Sequence, residues 1–82
     1  MGKRLGFVGI IIEDRLKAAP LVNKVLSEYG EEIVARVGLP YKERNCRVIT
    51  LTVDMSTDEL GALTGKLGGI EGVTVRSALA KN

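Results

Sequence analysis

The sequence predicts an α+β fold of order β-α-β-β-α-β: a ferredoxin-like sandwich with a four-stranded antiparallel sheet and two helices on one face. Three observations carry this. Four short apolar runs alternate with two stretches of helical periodicity. The halves resemble each other at an offset of 41 within 82 residues: Ile10 matches Leu51, Ile12 Val53, Glu13 Asp54, Val22 Leu63, Leu26 Leu67 and Val34 Val75. A capping signal opens the second helix. One domain across residues 1–82 follows, with the first and third strands central and right-handed crossovers setting both helices on the same face.

Taken in order, Leu5 to Ile12 is continuous and β-branched and reads as a strand buried on both faces. Val22, Val25, Leu26 and Tyr29 fall at helical spacing. Pro20 fits only the first turn, so this helix should begin between Arg15 and Ala19 and stop at Gly30. Glu32 to Gly38 reads as a second strand, Leu39 to Asn45 as a polar loop holding Pro40, and Arg47 to Asp54 as a cleanly alternating third strand. Ser56 and Glu59 form a capping box for a helix carrying Leu60, Leu63 and Leu67 and ending at Gly68-Gly69. Val73 to Leu79 is the fourth strand.

Composition narrows the function. With no His and one Cys, a Cys/His zinc site, a His-dependent nucleophile and an internal disulfide are excluded. No enzyme, metal or cofactor is expected. A net charge of +2, with bases and acids interspersed, argues against nucleic-acid binding as the main task. The six-residue run Phe7 to Ile12 is far too short to cross a bilayer, which takes about 20 residues, and the basic start lacks a signal peptide's apolar region; a cytoplasmic protein is expected. Cys46 reads as a small half-buried residue.

A chain this short buries only about 60–65% of its unfolded surface, so an added partner matters to its stability. The sheet face away from the helices should be polar in a monomer. Instead the first strand is apolar on both sides, with Leu5, Phe7 and Ile11 on one and Val8, Ile10 and Ile12 on the other. Val48, Thr50 and Thr52 add to it. The expectation is a homo-oligomer, dimer or tetramer, joined through the open sheet face, with Val8, Ile10, Val48 and Thr50 as candidate interface residues.

Gly61 to Lys66 resembles a phosphate loop only superficially: three residues separate the glycines, and Leu67 follows the lysine. Gly61, Gly65 and Gly68 read as close-packing positions on the second helix. Glu13-Asp14 reads as a solvated turn at a strand end, a place where small ligands sit against free helix N–H groups. Lys42, Arg44 and Arg47 beside Tyr41 read as a solvated hairpin tip diluted by Glu43.

The runs GIIIEDR (Gly9 to Arg15), VNKVLSEYG (Val22 to Gly30), ARVGLPYKE (Ala35 to Glu43) and DELGALTGKLGGIEGVTVRSAL (Asp58 to Leu79) resemble the iron-only hydrogenase system regulators, small ACT-like proteins of anaerobic bacteria. The resemblance covers nearly the whole chain, and GALTGKLG is its most specific part. It implies an ACT-like domain, related in fold to the C-terminal domain of the nickel-responsive repressor, with oligomerisation and a regulatory role linked to the hydrogenase system. The repressor's nickel site does not carry over, because this chain has no His. Nor is a preceding DNA-binding segment expected, since the first strand starts within a few residues of Met1. Amino-acid-binding ACT domains hold their ligand near the first strand–helix turn; the matching positions are Glu13, Asp14 and Arg15, with Asn23 nearby. The leading expectation is a regulator that senses a small molecule or docks on a protein, with a link to transcription. A ligand-free scaffold or assembly factor and a direct nucleic-acid binder remain as alternatives.

Overall fold

In the computed structural model, residues 2–13 and 17–81 are described. The elements are β1 (Arg4–Glu13), α1 (Ala19–Ser27), β2 (Ile33–Tyr41), a 3-10 turn (Lys42–Arg44), β3 (Cys46–Met55), α2 (Thr57–Gly68) and β4 (Val73–Leu79). The sheet order is β2-β3-β1-β4, antiparallel at each pairing. This is the βαββαβ fold the sequence predicts, with β1 and β3 central.

Alternation sorts the two faces. In β3, Ile49, Leu51, Val53 and Met55 are buried while Thr50, Thr52 and Asp54 are exposed. Their β1 neighbours Val8, Ile10 and Ile12 are likewise fully buried, and together with Val22, Leu26, Leu63 and Leu67 from the helices they make the core. Four of the repeat-related pairs, Ile10/Leu51, Ile12/Val53, Val22/Leu63 and Leu26/Leu67, thus occupy equivalent core positions. The pair Val34/Val75 breaks the pattern. A bulge between Ile33 and Ala35 puts Ile33 against the core and leaves Val34 exposed, whereas Val75 packs inward.

Three features differ from the sequence expectation. Within one chain β1 is buried on its helix-facing side only, because both helices lie on that side; Leu5, Phe7 and Ile11 are exposed. α1 ends at Ser27 rather than at Gly30, as the N–H groups of Glu28 and Tyr29 turn back to the carbonyls of Val25 and Leu26. The expected loop over Leu39 to Asn45 is mostly strand and turn: β2 runs through Pro40 to Tyr41. An edge strand tolerates proline because half its N–H groups have no neighbouring strand. Asn45 then closes the hairpin in the left-handed conformation, φ 51°, which asparagine adopts more readily than most residues.

α2 forms as its capping box dictates. Ser56 Oγ accepts from the Glu59 N–H at 3.1 Å, and Glu59 Oε1 accepts from the Ser56 N–H at 2.8 Å.

Candidate functional site

Of the residues expected at the first strand–helix turn, Asp14 and Arg15 lie outside the described residues. Glu13 is exposed at the end of β1, beside Cys46, with its N–H donating to the Gly72 carbonyl at 2.9 Å. Asn23 projects from the middle of α1, where its Oδ1 accepts a hydrogen bond from the Arg36 guanidinium of β2. Glu13 is not among the described residues that line the cleft at Asn23.

Asn23 belongs instead to a cleft of about 240 Å³ between α1 and the outer part of the sheet. Ala19 and Asn23 line one wall. Arg36, Gly38 and Pro40 from β2 and Arg47 and Ile49 from β3 make the rest. The cleft exists because α1 places Val22 and Leu26 over the centre of the sheet and leaves this side of β2 uncovered. Gly38 adds no side chain to fill it, and a Cβ built there meets nothing within 4 Å. Neither arginine is in an ion pair among the described residues; those are Lys3 with Glu32 and Glu59, and Lys66 with Glu28. Sequence reasoning assigned Arg47 to a solvated hairpin tip and passed over Arg36 and Gly38. The available signal was parity: Arg36, Gly38 and Pro40 recur at every second position, on the helix-facing side where an apolar set is the norm.

The opposite sheet face corrects part of the expected interface. Val8 and Ile10 lie under the helices, fully buried, and cannot meet a partner. Antiparallel register sets Val48 opposite Ile11 and Thr50 opposite Gly9, so the open face is built from Leu5, Phe7 and Ile11 rather than from their alternates. Val37 and Leu39 of β2 continue it, opposite Thr50 and Val48. Phe7, Val37 and Leu39 are 61%, 64% and 53% exposed. A hollow of about 350 Å³ indents this face between Leu5, Phe7, Thr52 and Ala78. On α2, a Cβ at Gly61 or Gly65 would meet nothing within 4 Å, and one at Gly68 would make ordinary contact with Val75. No close approach among the described residues therefore requires these glycines.

Exposed charges tie the helices to their surroundings. Lys3 donates to Glu59 at 3.1 Å, which raises the lysine's pKa. The Ser56 N–H first, and Lys3 second, hold the Glu59 carboxyl below its ordinary value. Lys66 donates to Glu28 at 3.0 Å and sits 5.3 Å from the centre of the Tyr29 ring; hydrogen bonding to Glu28 first, and to the Tyr29 side chain second, raises its pKa. Among the described residues there is no group of three or more His, Cys, Asp or Glu side chains placed to hold a metal. No helix among them is long and apolar enough to cross a membrane. Cys46 is a buried free thiol.

Residues 4–77 match the family model TM1266-like, described as "Iron-only hydrogenase system regulator, putative". The structure is similar to that of the uncharacterized protein TM1266 from Thermotoga maritima: TM-score 0.92 and 43% identity over 96% of this chain and 99% of the other. It is also similar to the ACT domain from GTP pyrophosphokinase of Chlorobium tepidum: TM-score 0.77 and 26% identity over 93% of this chain and 99% of that one. No curated protein matches the chain.

Proposed function

The chain belongs to the TM1266-like family of iron-only hydrogenase system regulators, and from that premise we propose that it is a non-enzymatic, ACT-like sensing domain. In this reading it associates with a second copy through the open sheet face and responds to a small ligand. The observation that carries the association is the exposed apolar surface of Leu5, Phe7 and Ile11 on the central strand β1 and of Val37 and Leu39 on the edge strand β2, with Val48 of β3 between them. A contiguous apolar surface on so small a domain marks an interaction site. A second copy suits it because the face is continuous across three strands, and covering it adds the apolar burial that a short chain lacks.

Ligand sensing is supported by the likeness to an ACT domain of a larger enzyme and by the solvent-open cleft beside Asn23. A thermal-shift screen over amino acids, nucleotides and small anions tests it. A ligand at 100 times its Kd adds about 2.7 kcal/mol of stability and a matching rise in Tm. A flat response to every candidate leaves the ligand-free scaffold as the better account. Direct nucleic-acid binding has less support. Arg47 lines the cleft, leaving Lys42 and Arg44 around Glu43 at the hairpin tip. A steep fall of affinity with salt in a mobility-shift titration would be needed to revive it.

A further inference from the structure

We propose that the cleft between α1 and β2 binds a small dianion, a compact molecule whose two negative charges meet Arg36 and Arg47, and not an amino-acid zwitterion. The proposal rests on the sensing role proposed above and names the chemistry of its ligand. Four features of the cleft bear on that chemistry.

Its charge is of one sign. Two arginines line it, none of the described lining residues carries a carboxylate, and neither arginine is in an ion pair among the described residues. Guanidinium forks match carboxylate and phosphate oxygens in pairs, so two of them around one cavity suit a ligand with two anionic ends or one doubly charged group.

Among the described lining residues none carries a carboxylate to pair with an amino acid's ammonium group, and the side-chain oxygen there, Asn23 Oδ1, already accepts a hydrogen bond from Arg36. That same bond holds the Arg36 guanidinium over the cleft.

A third feature is the start of α1 at Ala19. Among the described residues it has no side-chain cap and no acidic residue in its first turn, so its positive end adds to the arginines' field.

Size and floor come last. About 240 Å³ lies below the 300–1,000 Å³ of sites for drug-sized ligands, and Ile49 and Pro40 supply a short apolar wall. The floor is Gly38, in ordinary strand conformation since only Gly72 among the described glycines has positive φ. A glycine inside a strand costs about 0.5–1 kcal/mol. Here its effect is to keep the cavity open.

Nitrogen-15 NMR titrations at fixed ionic strength, above the second ionisation of phosphate, test the proposal with malonate, inorganic phosphate and serine. Malonate or phosphate is expected to give saturable shifts centred on Asn23, Arg36, Gly38 and Arg47; which of them binds tells a carboxylate ligand from a phosphate one. Serine should give none there. A Cβ at Gly38 meets nothing within 4 Å, so Gly38→Val is expected to fill the cavity with the fold intact while anion binding weakens about tenfold or more. Arg47→Gln, at an exposed position, should weaken it by about the same factor. No saturable shift with either anion, binding indifferent to Gly38→Val, or serine binding equally well in the cleft would overturn the proposal. If the anions fail but another compound in the thermal screen binds, sensing stands and this ligand class falls. If nothing binds in either experiment, both fall.

Discussion

A methyl group added at Gly6 would land against the carbonyl oxygen of Ala78 and the side chain of Leu79, across the β1–β4 pairing. Leu79 can yield, but the carbonyl is backbone. Gly6→Ala is therefore expected to destabilise the fold by about 1–3 kcal/mol, read from the urea midpoint. The α2 glycines should behave oppositely. Gly61→Ala and Gly65→Ala add a methyl into open space inside a helix, and each should raise stability by up to about 1 kcal/mol. A loss of stability at either position would mean that another chain approaches α2 there. These opposite roles were not legible in the sequence, where all three are simply glycines; the difference lies in which backbone crosses beside them. The same holds for the site. Asn23 was singled out, but its partner Arg36 is brought to it only by the packing of α1 over β2.

Among the elements, α2 was the most legible, because its start is encoded locally by Ser56 and Glu59, three residues apart, and both capping bonds form. Ser56→Ala should cost about 1 kcal/mol. Glu59 also makes stability depend on pH. Its carboxyl lies below the ordinary value of 4.5 in the folded chain, through the Ser56 N–H and then Lys3. A carboxylate whose pKa falls on folding contributes stability that is complete above 4.5 and lost as the pH drops through the lower folded value. The Tm difference between the wild type and Glu59→Gln should therefore be present at neutral pH and close below 4.5. A difference constant over that range would show that Glu59 acts only through its shape. β2 was the least legible element. Its Leu-Pro-Tyr end reads as a loop by composition, yet pairing with Val48, Arg47 and Cys46 makes it strand. The bulge at Ile33/Ala35, which breaks the Val34/Val75 equivalence, leaves no mark in an apolar run.

For the whole molecule, the repeat at half the chain length carried the topology, because four of its pairs are core residues on matching elements. What it left undecided was the side of the sheet on which each apolar set lies. Parity sorts β1 into two sets, and only the positions of the helices decide that Val8 and Ile10 go inward and Phe7 and Ile11 outward. That outward set is the reason to expect a second copy. Sedimentation equilibrium of the wild type and of Phe7→Asp, with circular dichroism to verify folding, tests this most directly. A dimer or larger assembly at micromolar concentration is expected for the wild type and a folded monomer for Phe7→Asp. A wild-type monomer at that concentration, or an assembly that survives Phe7→Asp intact, would contradict it.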